Sequence, residues 1–205
     1  DLKTDNIIAP ADVSNINELS LACDNIFNKF ETIDLCVLNA GIYKSVEGGK
    51  INSSIFNEHM QVNYMGVVNA LELILPKMIK NKYGHIIIVS SPTGWRGLPR
   101  ATAYGPTKAA LKNLAESLRY SLELHNIRIQ LVSPGFVKTE ATPVNEHSLP
   151  GIISSEKAAL HIINAIKSKS FEVIIPNTVM LWALYCLKYL PENIAHKILK
   201  WKIGV

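Results

Sequence analysis

The sequence predicts a doubly wound α/β fold, a three-layer sandwich in which helices cover both faces of one parallel sheet. Segments with strand character alternate with segments of helical periodicity along the chain. The predicted strands are continuous apolar runs, as strands are when both faces of a parallel sheet are buried. Small polar residues follow these strands, where the carboxyl ends of parallel strands form the ligand-binding edge. Right-handed crossovers should connect the strands.

Periodicity, together with residues that cap or break helices, places the individual elements. Asn15 and Glu18 predict a capping box at the start of the first helix. Ser53 or Ser54 should cap the second helix, and Pro76 is expected to bend it because proline lacks a backbone donor. The predicted strands comprise residues 6–10, 34–38, 86–90, 128–132 and 171–175. The predicted helices comprise residues 16–30, 53–80, 104–125 and 155–168.

Composition limits the classes of function. The chain length suits a single domain, residues 1–205, and 48% apolar with 19% charged residues excludes disorder. A net charge of +4 is scattered along the chain, which argues against nucleic-acid binding. Cys23, Cys36 and Cys186 are odd in number and lack metal-site spacing, so we expect reduced, buried thiols in a cytoplasmic protein. The six histidines show no paired metal motif, and no metal site is expected.

Residues 176–205 form an apolar, helical tail to this domain. Its most apolar part, residues 179–190, is shorter than the roughly 20 residues that a membrane span requires. A helix packed on the core, a substrate lid or an oligomer contact is favoured over a helix lying on a membrane surface. The basic side chains of the tail keep the membrane alternative open; they are Lys188, Lys197, Lys200 and Lys202.

Two familiar chemistries do not fit the loops after the predicted strands. Ser91 lacks the flanking glycines of a hydrolase nucleophile elbow. Residues 93–97 look faintly like a phosphate loop, but Pro99 follows and no helix begins there to point its N-terminus at a phosphate. Trp95 and Arg96 are predicted to belong either to the loop surface or to a substrate wall.

Tyr104 and Lys108 are the strongest candidates for a proton-transfer pair. Four residues apart on a helix, they lie on the same face, one turn from each other. A nearby ammonium should favour the phenolate and lower the pKa of Tyr104 toward a useful range. Ser91 can donate a hydrogen bond to a substrate oxygen. The alternatives are that Tyr104 is a half-buried core aromatic, that Asn63 is merely an exposed helix residue, and that Asp12 only marks a helix entry.

These residues, in this order and spacing, resemble the short-chain dehydrogenase/reductase family. Tyr104 and Lys108 match its Y-x-x-x-K pair, and Ser91 has the spacing of its catalytic serine. Asn63 in V-N-Y-M-G resembles the asparagine that completes the family's tetrad. Further matches resemble its cofactor-binding elements: Asp12 and Val13, the N-A-G element Asn39, Ala40 and Gly41, and the P-G-x-x-x-T turn with Pro134, Gly135, Val137 and Thr139.

The resemblance implies a Rossmann-like, NAD(P)-binding domain and an oxidoreductase that interconverts a secondary alcohol and a ketone. It implies that Tyr104 and Lys108 also contact the cofactor, that Lys108 binds the nicotinamide ribose, and that Asn63 holds a water linking Lys108 to solvent. The cofactor is NAD or NADP, and a homodimer or homotetramer is expected. The alternative is a catalytically silent relative that binds a nucleotide or a protein.

The family's glycine-rich T-G-x-x-x-G-x-G turn has no match in this sequence. We therefore expect the chain to be the C-terminal part of a longer domain that lacks the first β-α-β-α portion. The residues that select NAD or NADP should lie in that portion. Residues 140–150 should close over the substrate, but they carry no residue types diagnostic of it.

Overall fold

The computed structural model describes residues 5–47, 49–139 and 151–203. Its main sheet has four strands, all parallel to their neighbours, which confirms the α/β class with a parallel sheet. In spatial order they are β1 (Leu35–Leu38), β2 (Gly84–Val89), β3 (Ile127–Pro134) and β6 (Glu172–Ile175). Two short strands, β4 (Val137–Lys138) and β5 (Ile153–Ser154), pair with each other apart from that sheet.

Seven α-helices are described around the sheet. They are α1 (Ile16–Lys29), α2 (Ser53–His59), α3 (Gly66–Asn81), α4 (Tyr104–Leu122), α5 (Ser155–Lys167), α6 (Val179–Cys186) and α7 (Glu192–Ile203). A π-helix, Met60–Met65, joins α2 to α3 without a break. Within the described ranges, no helix is long and apolar enough to cross a membrane.

The core lies on both faces of the sheet because successive strand residues point to opposite sides. Ile86 and Ile88 of β2 pack with α3 and α4 in one cluster of fully buried side chains. Ile87, between them in sequence, packs with Val132 and with Ala165 of α5 in another. The uniformly apolar strands β2 and β3 thus have the physical cause that the sequence suggested: helices cover both of their faces.

The predicted strand at residues 6–10 is wrong. These residues have no strand structure, and Ile8 is 86% exposed. An apolar run becomes a strand only beside a hydrogen-bonding neighbour, and no strand in the described part of the chain pairs with it. On the outer face of β1, Leu35 and Val37 are also partly exposed.

The second predicted helix is interrupted at a different place from the one expected. Pro76 lies within α3, whereas the irregular segment is the π-helix, where the Gly66 N–H donates to the Gln61 oxygen five residues earlier. Its cap also differs: the Asn52 side chain, and neither serine, accepts from the Ser54 N–H. The predicted capping at Asn15 is confirmed, since its side chain accepts from Asn17 and Glu18.

The cysteines are all unpaired in the structure, but they are not all buried. Cys23 is buried, Cys36 is partly buried and Cys186 is exposed. Burial raises the pKa of Cys36 to about 11. The expectation of buried thiols is therefore wrong for Cys186, which lies on the outer side of α6.

Candidate active site

Ser91 lies just beyond the carboxyl end of β2 and begins a 3-10 turn, Pro92–Gly94. Its Oγ accepts hydrogen bonds from the Thr93 N–H at 3.3 Å and from the Thr93 hydroxyl at 3.1 Å. Gly94 lets this turn approach α4 closely, because a Cβ there would lie 2.8 Å from the main-chain oxygen of Lys108. The turn after the strand therefore holds Ser91 against the first turns of α4.

Tyr104 is the first residue of α4, and Lys108 follows one turn later on the same face. Lys108 is only 3% exposed, and its Nζ lies 5.4 Å from the centroid of the Tyr104 ring. The ring also meets Tyr43 edge-on, with centroids 5.3 Å apart. Tyr104 as a whole residue is partly exposed.

Burial governs the titration of both side chains in the protein without cofactor. Desolvation raises the pKa of Tyr104 to about 12, against a hydrogen bond with the Ser91 side chain that lowers it; the neighbouring Tyr43 raises it further. Desolvation also lowers the pKa of Lys108 to about 8. In the protein alone, low polarity outweighs the attraction between ammonium and phenolate, and Tyr104 is protonated at neutral pH.

Asn63 is fully buried in the π-helix, so the alternative of an exposed helix residue is wrong. Its Oδ1 accepts from the Ile42 N–H at 2.7 Å, and its Nδ2 donates to the Ile42 oxygen at 3.0 Å. Nδ2 also donates to the Thr107 hydroxyl at 3.3 Å. That hydroxyl in turn donates to the main-chain oxygen of Tyr104 at 2.7 Å. One buried carboxamide thus joins the loop after β1 to the start of α4.

The loop after β1 passes over Lys108 at Gly41. A Cβ on Gly41 would lie 3.3 Å from Asn63 Oδ1 and 3.7 Å from Lys108 Nζ. Asn39, Ala40 and Gly41 are exposed, so they form an open wall beside the buried lysine. The absence of a Cβ at Gly41 thus lets the main chain pass close to both the Asn63 carboxamide and the Lys108 ammonium.

Asp12 and Val13 are anchored elsewhere. The Asp12 carboxylate accepts from the Ser14 N–H at 2.9 Å and from its hydroxyl at 2.7 Å, and these bonds lower the pKa of Asp12. The Val13 oxygen accepts from Asn69 Nδ2 at 3.0 Å. The helix-entry role of Asp12 is therefore present in the structure, and Val13 is tied to α3.

The P-G-x-x-x-T turn leaves the sheet at the end of β3. The Gly135 N–H donates to the Ile175 oxygen at 2.7 Å, and a Cβ on Gly135 would lie 3.0 Å from Leu181. Val137 is in β4, and Thr139 follows it at the surface. Residues 140–150, expected to close over the substrate, lie outside the described residues.

Trp95 and Arg96 are neither loop surface nor, in this structure, an open wall. Trp95 is 8% exposed and packs with Ile174 and Leu181, so it joins the tail to the sheet. Arg96 donates to the Leu187 and Leu190 oxygens and pairs with Glu192. These partners are distant in sequence, so no local sequence pattern predicts the contacts.

Sequence reasoning also missed His59 and Thr107. His59 is fully buried; its Nδ1 lies 2.7 Å from the Ile55 oxygen, and its Nε2 accepts from the Lys44 N–H at 3.0 Å. It therefore orients the loop that carries Tyr43. Thr107 lies directly before Lys108, inside the Y-x-x-x-K pair. Its hydrogen bond with Asn63, which is 44 residues away, could not be predicted from the sequence.

A family model described as short chain dehydrogenase matches residues 1–149. The chain belongs to the short-chain dehydrogenase/reductase family.

Relatives of known sequence agree with this assignment. An uncharacterized oxidoreductase of Myxococcus xanthus is 33% identical over 144 residues, which are 70% of this chain and 57% of that protein. A dehydrogenase/reductase SDR family protein 7-like of Drosophila melanogaster is 27% identical over 197 residues, 90% of this chain and 60% of that protein. The chain thus spans less than two thirds of the length of these relatives.

Solved structures show the same fold. A short-chain dehydrogenase from Burkholderia cenocepacia, in complex with NADP, superposes with a TM-score of 0.81 at 23% identity, covering 94% of this chain and 80% of that one. An alcohol dehydrogenase from Thermococcus sibiricus, complexed with 5-hydroxy-NADP, gives a TM-score of 0.70 at 20% identity, covering 80% and 72%.

Proposed function

We propose that this protein is an NAD(P)-dependent oxidoreductase that interconverts a secondary alcohol and a ketone. The observation that carries the proposal is the pairing of Tyr104 with Lys108 on α4, with Ser91 hydrogen-bonded to the phenol. The three lie at the carboxyl edge of the sheet, where ligands of parallel sheets bind. A binding protein has no need of a buried ammonium beside a phenol at that edge.

The open wall at Gly41 and the buried ammonium of Lys108 fit a nicotinamide nucleotide. Lys108 and Tyr104 would hold the ribose, with Asn39, Ala40 and Gly41 along its side. Asp12 and Val13 would meet the adenine, and Pro134, Gly135, Val137 and Thr139 the carboxamide. The cofactor supplies or accepts the hydride, for which no side chain is suited. NADP in two structural neighbours supports a nicotinamide cofactor; both NAD and NADP are to be tested.

The protein's own residues manage the proton and the developing charge. In ketone reduction, Tyr104 donates its phenolic proton to the substrate oxygen as a hydride adds to the carbon, and an alcohol results. Ser91 donates a hydrogen bond to the same oxygen, where negative charge develops. In alcohol oxidation the proton moves in the opposite direction, so the Tyr104 phenolate must form first.

Besides holding the ribose, Lys108 acts on the phenol, and Asn63 connects the lysine to solvent. Its ammonium stabilises the Tyr104 phenolate, and with a pKa of about 8 in the protein alone it is mostly charged at pH 7. Asn63 Oδ1 accepts from Ile42 and has a second lone pair with which it can hold a relay water beside Lys108. That water would return protons from solvent to the pair.

Steady-state assays of the intact protein test the proposal. Secondary alcohols with NAD or NADP, and ketones with the reduced cofactors, should give turnover that depends on Tyr104. Cofactor binding without turnover on any substrate would favour the catalytically silent alternative. The small-molecule substrate, the homodimer or homotetramer and the cytoplasmic location are parts of the same proposal, and light scattering measures the oligomeric state.

A further inference from the structure

Helix α7 carries an apolar stripe that the rest of the described chain leaves uncovered. Ile194 is 49% exposed, Ile198 is 39% exposed and Trp201 is 81% exposed. At 3.6 residues per turn, these side chains fall within about 60° of the helix circumference. Ala195, on the neighbouring face, is fully buried and attaches the helix to the domain. The stripe is thus a narrow apolar surface facing away from the core.

Lysines border this stripe on both sides. Lys197 and Lys202 each lie about 40° beyond one of its edges, and Lys200 lies further round on the side of Lys197. All three are exposed. Glu192 is the only acid of α7; it stands at the first position and pairs with Arg96. Among the described residues of α7 itself, the stripe is therefore bordered by positive charge, and the acid of the helix lies at its first position, away from the lysines.

The start of α7 is fixed to the domain. The Arg96 guanidinium donates to the Leu187 oxygen at 3.0 Å and to the Leu190 oxygen at 2.7 Å, in the segment just before the helix. The stripe is therefore held by the domain at its beginning, and its exposure does not come from a loose end of the chain.

The charge pattern distinguishes between possible occupants of the stripe. A second copy of the chain, packed through a two-fold contact, would bring the same lysines against each other. A phospholipid surface suits the pattern, because apolar side chains enter the acyl boundary while lysine stems lie along them and the ammonium groups reach the headgroups. None of the described helices, α7 included, is long and apolar enough to cross a membrane.

We propose that α7 lies flat on an anionic phospholipid surface. Ile194, Ile198 and Trp201 enter the boundary between headgroups and acyl chains, and the three lysines contact the negatively charged headgroups. This inference does not depend on the proposed catalytic activity. Anionic lipids are concentrated in the cytoplasmic leaflet, so the proposed cytoplasmic location would bring the protein to such a surface.

The test measures binding of the intact protein to vesicles. Partitioning should be stronger to phosphatidylcholine with phosphatidylserine than to phosphatidylcholine alone, and it should weaken with added salt. Lys197→Gln/Lys200→Gln/Lys202→Gln should lower the partitioning to anionic vesicles at least about tenfold. The matched control Lys157→Gln/Lys167→Gln/Lys169→Gln removes the same number of charges, two within α5 and one just after it. This control should leave the partitioning to anionic vesicles nearly unchanged.

A second pair of variants tests the apolar stripe. Ile194→Ser/Ile198→Ser should lower partitioning, whereas Leu160→Ser/Ile163→Ser, at exposed positions of α5, should not. Anionic vesicles should also shift tryptophan emission to the blue in wild type, and less so in Trp201→Phe. Equal partitioning of all variants would overturn the proposal. The proposal would also be overturned if the α7 variants bound vesicles like wild type but changed the mass of the protein in light scattering. That result would assign the stripe to a contact between copies of the chain.

Discussion

Lys108 Nζ donates a hydrogen bond of 2.9 Å to the main-chain oxygen of Val89, the last residue of β2. The lysine reaches from α4 to the end of a neighbouring strand and is almost completely buried on the way. Desolvation lowers its pKa from 10.5 to about 8. Because the charged form is disfavoured by burial, the proposed active site reduces the stability of the fold that contains it.

Replacing this lysine should therefore stabilise the protein at neutral pH. The pKa shift corresponds to about 3 kcal/mol, and losing the bond to Val89 offsets part of it, so Lys108→Met should raise the free energy of unfolding by about 1 to 2 kcal/mol at pH 7. Between pH 8 and pH 10.5 the unfolded wild-type chain retains a proton that the folded protein has lost. Wild-type stability then rises with pH by about 3 kcal/mol in all, which exceeds the advantage of the variant, so the variant should become less stable than wild type before about pH 10.5.

Denaturant unfolding at pH 7 and at alkaline pH measures this difference. Lys80→Met, at an exposed position of α3, is the matched control and should be nearly neutral at both pH values. A Lys108→Met variant that is less stable than wild type at pH 7 would show that the ammonium contributes more through its hydrogen bond than burial costs.

Tyr104→Phe tests the proton transfer. Loss of a general acid should lower kcat by about 10² to 10⁴-fold for ketone reduction, because a phenylalanine ring has no proton to donate. The ring and its contact with Tyr43 remain, so cofactor affinity, measured by fluorescence titration of the intact protein, should change little. Tyr43→Phe is the control and should retain most of the turnover. Undiminished turnover in Tyr104→Phe would contradict the mechanism.

The alternation of elements and the apolar strands could be read from the sequence because each depends on local periodicity. The proximity of Ser91, Tyr104 and Lys108 could be predicted because they stand at fixed spacings around the end of one strand and the start of one helix. The strand expected at residues 6–10 failed because pairing, rather than apolar character, makes a strand.

Contacts between distant segments could not be predicted. The π-helix turns Asn63 into the core, and nothing in its own sequence shows that Ile42 is its partner. Trp95 is buried because its indole N–H donates to Glu172 and its ring packs against the tail at Leu181. The raised pKa of Tyr104 in the protein without cofactor could not be predicted either, because burial depends on packing by residues far away in the sequence.

Ser91→Ala should change the pH dependence of alcohol oxidation as well as its rate. The hydrogen bond with Ser91 lowers the pKa of Tyr104, against desolvation, which raises it to about 12. Removing that bond should move the alkaline rise of kcat/KM to higher pH, because the phenolate becomes harder to form. Ser90→Ala removes a hydroxyl that donates to the Lys108 oxygen and serves as the control. A lower rate with an unshifted pH profile of kcat/KM would mean that Ser91 acts only on the substrate oxygen and not on the pKa of Tyr104.

Gly41→Ala tests the wall beside Lys108. The added methyl group would lie 3.3 Å from Asn63 Oδ1 and 3.7 Å from Lys108 Nζ, in the space assigned to the ribose. We expect the KM for the cofactor to rise by about tenfold, with kcat less affected, because the loss falls on binding. Gly97→Ala places a methyl group where nothing lies within 4 Å and should leave both constants unchanged. An unchanged KM in Gly41→Ala would place the ribose elsewhere.

Glu172 is expected to fix the segment that follows Ser91. Its Oε1 accepts from Trp95 Nε1 at 2.6 Å and from the Ser133 hydroxyl at 2.8 Å, and its side chain is 8% exposed. A hydrogen bond to a buried carboxylate contributes more than one to a neutral partner. In a double-mutant cycle, Trp95→Phe and Glu172→Gln should therefore show a coupling of about 1 to 2 kcal/mol in the free energy of unfolding.

The control cycle uses the same type of bond in an exposed place. Trp182 Nε1 donates to Asn177 Oδ1 at 2.6 Å at the start of α6. Trp182→Phe with Asn177→Ala should show a coupling near zero, because water replaces an exposed bond. Since Trp95 lies directly after the turn that Ser91 begins, Trp95→Phe should also lower kcat more than it raises KM. Additive effects of the two buried substitutions would mean that packing with Ile174 and Leu181, and not the carboxylate, holds Trp95 in place.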